Sequence, residues 1–297
     1  MYAIENDFDF IAMSFVRNKE NIAELRTLLK EHNAEHIKII SKVENQEAIE
    51  NLDEIIENSD WVMAARWDLW VEVPVEKLPF YQKQIVDKCI AHGKFFVIAT
   101  HMLETMIENP FPTRAEVSDI YNAVMQQADC TMLSWETTIW KYPIDSVSMM
   151  TKIIIEAEKN TNYQHIDYSN EWLNQRDIEK KLLIKHGIEI AEKLELKWMV
   201  VLTKTWLLAR LASAFRPKVK MYAFTHKPTT LRFMNSLFWI KAMLIDARLD
   251  NHWDNLTNAI EVLKAKSSVK SGDRLVAITD IRKNDKNIPV LEIITID

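Results

Sequence analysis

The chain has 297 residues, of which 48% are hydrophobic and 27% charged, and its net charge is −6. This composition is typical of a soluble globular protein with one large domain or two ordinary ones, and the apolar segments are too short for a membrane span of about 20 residues. The mixture of charges gives no overall attraction to nucleic acid or anionic lipid, so we expect neither kind of partner. The two cysteines, Cys89 and Cys130, do not form a disulfide framework, which predicts a reducing, cytoplasmic location.

Short apolar segments alternate with segments of helical periodicity over residues 1–160, which we expect to form one domain. The predicted strands are 10–16, 37–43, 62–65, 95–100 and 130–134. The predicted helices are 18–32, 44–58, 78–93, 112–127 and 145–160. Gly93 is expected to end the third helix, Pro112 to lie near the start of the fourth, and a long turn to connect 65 with 78. Five successive strand–helix units predict a parallel sheet with helices outside it.

A polar stretch interrupts this alternation, and we assign residues 161–174 to a linker. Residues 175–297 are predicted to form a second, smaller α/β domain. Its predicted helices are 175–195, 206–215, 228–238 and 254–265, and its predicted strands are 199–203, 221–225, 242–246, 274–281 and 290–296. The last strand could pair antiparallel with the one before it.

The counts of glycine and tryptophan are unusual, because the chain has 3 Gly and 10 Trp. At the usual abundance of about 7%, a chain of this length carries roughly twenty glycines. An α/β chain with many tight turns needs positions with positive φ, which glycine supplies. Either the turns are built in an unusual way or glycines have been replaced.

Polar residues follow four successive predicted strands of the first domain at their carboxyl ends. They are Lys42 and Glu44, Arg66 and Asp68, Thr100 and His101, and Ser134 and Glu136. In a (β/α)8 barrel this rim is where active sites form. Any one of these residues has a structural explanation as a rim lysine, a helix cap or a turn hydroxyl, but four strand ends together favour a site.

The residue types at this rim indicate metal-assisted chemistry on an anion. Glu44 and Asp68 offer hard carboxylate oxygens that suit Mg²⁺, with substrate oxygens completing the coordination. Lys42 is two residues from Glu44 on an extended segment, so both side chains point the same way, and its charge suits a phosphoryl group. The sequence has no cysteine–histidine cluster for zinc and no phosphate-binding GxxxxGK[ST] loop. The residues alone predict Mg²⁺-assisted chemistry on a phosphorylated or carboxylated small molecule.

Several segments resemble the pyruvate kinase family, in the order and at the spacing of that family. The segment IKIISKVENQEAI (37–49) resembles the family's active-site signature at every position of the pattern. Further similarity lies in DFIAMSFVR (9–17), MAARWDLWVEVPVE (63–76), VIATHMLETM (97–106), NPFPTRAEVSDIYNAV (109–124), MLSWETTIWKYP (132–143) and VVLTKTWLLARLASAFRP (200–217). The resemblance covers nearly the whole chain and is weakest at 160–175 and 247–297.

The resemblance implies a role for each matching residue of the first domain. Lys42 would stabilise the phosphoryl group that moves from phosphoenolpyruvate to ADP, and Glu44 and Asp68 would hold Mg²⁺ or Mn²⁺. The backbone around Arg66, Trp67 and Asp68, together with Thr100, would bind the carboxylate and phosphate region of the substrate. Thr100 and Ser134 would deliver a proton to the enolate.

The resemblance also implies a fold and partners. It begins just before the family's fourth barrel strand, so we expect the last five βα units of a (β/α)8 (TIM) barrel followed by the smaller α/β domain. The first three strands, with the family's phosphate and K⁺ ligands, and the lid domain would be missing. Thr203 and Thr205 match hydroxyls of a loop that binds a sugar-phosphate effector in many members, although a threonine pair at such a turn is also a common helix cap. The complete protein would be a homotetramer.

Three functions are therefore compared. The first is a pyruvate kinase that transfers phosphate from phosphoenolpyruvate to ADP in glycolysis, incomplete as this chain. The second is an inactive fragment or degenerate copy that serves as an assembly or effector-binding partner. The third, a different (β/α)8 enzyme acting on a phospho- or keto-acid, is disfavoured by the complete match at 37–49.

Many of the tryptophans fall where the family has glycine. They are Trp61, Trp67, Trp70, Trp135, Trp140, Trp206 and Trp239, with Trp198 and Trp253 as further candidates and Trp172 unmatched. A single cause would be a genetic code in which UGA specifies glycine, translated with a table in which it specifies tryptophan. The alternative is that the tryptophans are real and the protein is a decayed or repurposed copy.

Overall fold

The computed structural model describes residues 1–138, 141–161, 166–171, 173–246, 252–283 and 286–297. Trp140 and Trp172 lie outside the described residues, as do positions 162–165 of the expected linker. The chain divides into two compact units, Met1–Asn162 and Tyr163–Asp297, which are considered separately. In the part of the chain that is described, no helix is long and apolar enough to cross a membrane.

The first unit contains a sheet of five parallel strands in the order β1-β2-β3-β4-β5, which confirms the predicted arrangement. The strands are β1 (Phe10–Met13), β2 (Lys38–Val43), β3 (Trp61–Ala65), β4 (Phe95–Ala99) and β5 (Cys130–Met132). The helices are α1 (Tyr2–Glu5), α2 (Lys19–Glu31), α3 (Gln46–Glu50), α4 (Leu52–Asn58), α5 (Arg66–Glu72), α6 (Leu78–Ala91), α7 (Arg114–Met125), α8 (Trp135–Thr138) and α9 (Pro143–Asn160). Strands that are neighbours in sequence are neighbours in space, as in part of a (β/α)8 barrel.

Two details of the predicted elements are wrong. The segment expected as a long turn between 65 and 78 contains helix α5 and a 3₁₀ turn at Val75–Lys77. Helix α5 has only seven residues, too few to show helical periodicity in the sequence, and it is fixed by burial of Leu69. The single helix expected at 44–58 is divided at Asn51, which ends α3 and begins α4 with φ −98° and ψ 19°.

The sheet of the first unit is buried on both faces in its central strands. Val62 and Ala64 of β3 belong to the hydrophobic core shared with the helices. The alternate residues Trp61 and Met63 point to the opposite face and are also buried, at 2% and 6% exposure. Continuous apolar strands are expected for a parallel sheet that is covered on both sides.

Local signals in the sequence explain where the helices begin and end. Asn18 caps α2 by accepting a hydrogen bond from the backbone N–H of Asn21. Thr113 and Glu116 form a reciprocal capping box at the start of α7, so Pro112 lies just before the cap. Helix α6 ends at Ala91, and Gly93 follows with φ +61°, a conformation that favours glycine.

The second unit is a five-stranded sheet in the order β10-β9-β6-β7-β8. The strands are β6 (Trp198–Leu202), β7 (Lys220–Thr225), β8 (Ile240–Leu244), β9 (Arg274–Lys283) and β10 (Lys286–Thr295). The helices are α10 (Gln175–Lys193), α11 (Leu207–Ala214), α12 (Pro228–Met234) and α13 (His252–Ala265). Strand β10 pairs antiparallel with β9, as the sequence suggested, and the other pairings are parallel.

Helices cover both faces of this second sheet. Residues of α10 and α11 share a core with Met199 and Val201 of β6. Residues of α13 share a separate core with Val200 of the same strand and Tyr222 of β7. The alternation along β6 therefore produces the layered α/β architecture predicted for this part of the chain.

Residues 166–171 and 173–174 of the expected linker belong to the second unit, whereas Thr161 belongs to the first. Tyr168 is only 3% exposed and donates its hydroxyl hydrogen to the backbone carbonyl of Leu211 at 3.1 Å. Leu173 belongs to the same core as α10 and α11. This part of the chain is therefore packed against the second sheet's helices.

Candidate functional site

The site lies at the carboxyl ends of the parallel strands of the first unit. Strand β2 ends at Val43 and is followed by Glu44, and β3 ends at Ala65 and is followed by α5. Strands β4 and β5 lead into the turns that contain Thr100 and Ser134. Parallel register brings these four strand ends to one edge of the sheet.

Lys42 and Glu44 are in direct contact. Glu44 is fully buried, and its Oε1 lies 2.5 Å from Lys42 Nζ. The other carboxylate oxygen, Oε2, accepts a hydrogen bond from the backbone N–H of Phe15 at 2.5 Å. Lys42 Nζ also donates to the hydroxyl of Ser14 at 2.9 Å and remains 22% exposed. The ammonium group is therefore held in place but accessible to a ligand.

The Oε1 atom of Glu44 is suited to a cation. It is buried and accepts no hydrogen bond of normal geometry, so its close approach to Lys42 is ionic rather than directional. A buried carboxylate oxygen of this kind is stabilised by a positive charge. Asp68 lies in the first turn of α5, after the neighbouring strand, and is partly exposed. Both residues are hard carboxylates, the ligand type that a divalent ion such as Mg²⁺ prefers.

The side chain of Arg66 points away from the strand-end opening. Its guanidinium is buried, with Nε donating to the carbonyls of Ala99 and Thr100 at 3.2 and 3.1 Å. Its Nη1 contacts Asp119 Oδ2 at 2.6 Å and Gln82 Oε1 at 3.4 Å. Arg66 thus ties the end of β4 to α6 and α7.

Thr100 connects the turns that follow β3 and β4. Its hydroxyl accepts a hydrogen bond from the backbone N–H of Trp67 at 3.0 Å and donates to the carbonyl of Ala99 at 2.6 Å. Thr100 and His101 both have positive φ, at +66° and +53°. This conformation turns the chain sharply at the end of the strand.

A cavity of about 380 Å³ opens at these strand ends. It is lined by Trp67, Asp68, Thr100, His101, Glu104, Ile107, Ser134, Trp135 and Glu136. The structure therefore brings together Trp67, Asp68, Thr100 and Ser134 among the predicted site residues. Lys42 and Glu44 form their own cluster at the end of the adjacent strand.

Glu136 organises the wall of this cavity, a role that the sequence did not assign to it. It is 2% exposed, its Oε2 accepts from the backbone N–H of Ser134 at 2.7 Å, and its Oε1 accepts from that of Leu103 at 3.1 Å. One carboxylate therefore fixes the turns after both β4 and β5. The available signal was an acidic residue in the first turn of a helix, where a carboxylate is stabilised by free backbone N–H groups.

Three tryptophans lie around the cavity with large exposed surfaces. Trp67 and Trp70 contact each other with ring centroids 5.7 Å apart, and Trp67 also packs on the His101 ring at 4.8 Å. Trp135 is 62% exposed at the start of α8. Exposed indoles on the short helices α5 and α8 are unusual, because large apolar side chains normally lie in a core.

Thr203 and Thr205 lie between β6 and α11 in the second unit. Thr203 is buried and its backbone N–H donates to the carbonyl of Phe224 at 2.9 Å, whereas Thr205 is exposed. The backbone carbonyl of Lys204, between them, accepts from the hydroxyl of Thr230 at 3.3 Å. Burial, with Lys227 and Lys204, holds the pKa of His226 below its ordinary value.

Two tryptophans of the second unit have left-handed backbone conformations. Trp206 precedes α11 with φ +36°, and Trp239 precedes β8 with φ +57°. For a bulky L-residue this conformation costs about 1–2 kcal/mol relative to glycine.

Comparison with known proteins gives consistent matches over both units. Residues 1–147 match the family model for the pyruvate kinase barrel domain, and residues 182–294 match that for the pyruvate kinase alpha/beta domain. The chain is 34% identical over 297 residues to a pyruvate kinase of Borreliella burgdorferi, which covers 99% of this chain and 62% of that protein. It is 37% identical over 285 residues to one of Dictyostelium discoideum (94% and 56%) and 35% identical over 288 residues to one of Clostridium acetobutylicum (96% and 60%). The chain spans little more than half the length of these curated relatives.

Proposed function

Because the chain belongs to the pyruvate kinase family, we propose that it forms part of an enzyme that transfers a phosphoryl group from phosphoenolpyruvate to ADP, giving pyruvate and ATP in glycolysis. The observation that carries this proposal is the contact of Lys42 with the buried carboxylate of Glu44 at a strand end. Phosphoryl transfer depends on positioning and charge stabilisation, and a fixed, accessible ammonium group supplies both.

The chain's own residues divide the reaction between them. The Lys42 ammonium stabilises the phosphoryl group as its bond to the enolate oxygen breaks and a bond to the terminal phosphate oxygen of ADP forms. The enolate carbon then takes up one proton, and we assign Thr100 and Ser134 to the path of that proton. The backbone at Trp67 and the side chain of Thr100 are hydrogen-bonded to each other, and we assign these two strand ends to binding of the substrate carboxylate.

Glu44 and Asp68 are the residues that would hold Mg²⁺ or Mn²⁺, and the ion would neutralise charge on the phosphate oxygens. We expect K⁺ to be required as well, with ligands outside the residues of this chain. Thr203 and Thr205, next to the basic residue Lys204, are proposed to bind the phosphate of a sugar-phosphate effector. We also propose that the working form is a homotetramer in the cytoplasm. Light scattering of the native protein tests the number of subunits.

An inactive copy that acts as an assembly or effector-binding partner is the second candidate. The feature that favours it is the indole of Trp67 and that of Trp135 in the lining of the cavity. Such side chains occupy space that a phosphorylated substrate needs. The two candidates differ in turnover, because an inactive copy binds an effector but forms no pyruvate.

The test is a coupled assay of pyruvate formation from phosphoenolpyruvate and ADP with the protein purified from its source, in Mg²⁺ and K⁺. Lys42→Met in the full gene product is expected to lower kcat by 10²-fold or more, a typical loss for one transition-state contact. Lys38→Met is the matched control, since Lys38 is at the opposite end of the same strand. Absence of turnover in a protein that binds a sugar phosphate would favour the inactive copy, and equal losses in both variants would remove Lys42 from the mechanism.

A further inference from the structure

The remaining glycines of the chain occupy positions that require glycine. Gly93 and Gly272 have φ values of +61° and +85°. At Gly187 on α10, an added Cβ would lie 2.9 Å from Ile278 Cδ1 and 3.0 Å from Leu291 Cδ1. All three glycines in the sequence are therefore used where a side chain would clash or strain the backbone. Because the chain has only three glycines, residues other than glycine must occupy its other turns with a left-handed backbone.

Two of those turns carry tryptophan. Trp206 and Trp239 have positive φ, a conformation in which a bulky residue is a rare outlier. Among the described residues, positive φ also occurs at nine other non-glycine positions, Phe15 and Arg216 among them, so backbone strain alone does not identify a position. A common cause is indicated because two of the strained positions carry tryptophan, the residue type whose count in this chain is unusually high.

A second, independent set of tryptophans surrounds the cavity. Trp67, Trp70 and Trp135 are between 44% and 62% exposed, and two of them line the cavity itself. These indoles do not occupy a hydrophobic core, and those of Trp67 and Trp135 take up space beside Thr100 and Ser134. Glycine at 67 and 135 would let a ligand approach the backbone more closely.

We propose that Trp67, Trp70, Trp135, Trp206 and Trp239 correspond to UGA codons that the source organism reads as glycine, so that the protein made in the cell has glycine at these positions. One change in the decoding rule accounts for the shortage of glycine, the excess of tryptophan, the strained turns and the exposed indoles together. Trp61 differs, because it is buried against Phe10 and Phe95 in the sheet and its environment alone gives no reason for a change. A decoding rule would nevertheless apply to it if its codon is UGA.

The proposal changes the chemistry available at the cavity. Without the indoles, the backbone at 67 and 135 is less obstructed beside the cavity, so an anionic group of a substrate can approach it more closely. That consequence rests on the proposed function, whereas the identity of the residues does not. The two can therefore fail separately.

The test begins with the gene and the native protein. The codons at the five positions are read from genomic DNA, and peptides covering 59–72, 132–138 and 204–241 are measured by mass spectrometry on protein from the source organism. UGA codons with peptide masses that contain glycine are the expected result. UGG codons, or peptides that contain tryptophan, would overturn the proposal. Glycine at these positions in a protein without turnover would support the decoding proposal and count against the proposed function. Tryptophan at these positions in a protein with turnover would overturn the decoding proposal and support the proposed function.

A second measurement uses the full chain made in both forms. Trp206→Gly and Trp239→Gly each remove a left-handed bulky residue, which favours folding about fivefold to thirtyfold and offsets the lost contacts of Trp206 with Phe233 and of Trp239 with Lys220, so both variants are expected to be more stable than the control. Trp198→Gly is the control, because Trp198 lies in an ordinary strand and packs on Tyr222 with ring centroids 4.8 Å apart. It is expected to lower the folding equilibrium constant. A loss of stability at 206 and 239 equal to that at 198 would contradict the structural part of the argument.

Discussion

Glu136 offers a sharp test of how the cavity wall is held. Its buried carboxylate accepts the backbone N–H groups of Ser134 and Leu103, which follow two different strands. Glu136→Ala removes both acceptors, and Glu136→Gln leaves one amide oxygen for two donors. Glu136→Ala therefore removes both of these contacts, and Glu136→Gln removes one of them.

The expected loss follows from the burial of these groups. A hydrogen bond to a charged group contributes about 1.5–3 kcal/mol, and a buried N–H left without an acceptor costs about 1–3 kcal/mol. Glu136→Ala should therefore cost about 2–5 kcal/mol of unfolding free energy, the lower values applying where water enters the space. Glu136→Gln should cost about half as much.

Hydrogen exchange at the amides of Ser134 and Leu103 measures this directly, since every 1.4 kcal/mol or so of local stability is tenfold in protection. Glu50→Gln is the matched control, because Glu50 is exposed on α3 and its change should stay within about 0.5 kcal/mol. Protection at both amides that is unchanged in Glu136→Ala would show that the carboxylate does not join the two turns.

Three further predictions concern charged groups. Because the pKa of His226 is lowered mainly by burial, protonation of His226 disfavours the folded state as pH falls below 6.5. Phosphate bound at the turn between β6 and α11 should raise the titration midpoint of His226 measured by NMR. An unchanged midpoint would exclude an anion site at this turn. Asp119→Ala removes the carboxylate partner of the buried Arg66 guanidinium and should lower the unfolding free energy by about 1–3 kcal/mol in urea titrations, with Asp119→Asn losing less. The hydrogen bond from Lys185 lowers the pKa of Asp167 below 3.8, so the stabilisation by this ion pair is present above that pH and is lost as pH falls through the lowered pKa. Asp167→Asn should cost less than about 1 kcal/mol of unfolding free energy at pH 7, because this carboxylate is 52% exposed. An equal cost at pH 3 would contradict this prediction.

The sequence predicts the sheet and the strand-end cluster because both depend on local periodicity. A spacing of two residues on an extended strand places Lys42 and Glu44 on the same side, and the structure has them in contact. The order of five apolar strands and intervening helices is sufficient to predict parallel neighbours. Predicting these features does not require knowing which side chains make contact with residues that are distant in the sequence.

The direction of the Arg66 side chain could not be predicted in the same way. Its partners come from α6, α7 and the end of β4, up to 53 residues away in sequence, and a charged residue at a strand end can turn outward or inward. The same holds for Glu136, whose second acceptor contact is 33 residues distant. Side chains that bridge elements are decided by tertiary packing, which periodicity does not encode.

The tryptophans show the opposite relation between sequence and structure. Composition alone reveals that glycine is scarce, but it cannot say which tryptophans are out of place. The structure separates them, since Trp206 and Trp239 have left-handed backbones, Trp67 and Trp135 line the cavity, and Trp61 is packed in the sheet. A random set of glycine replacements would be expected to include turns, cavity walls and strands alike. That mixture is what one decoding rule produces, whereas selection for a new function would place indoles where they bind something.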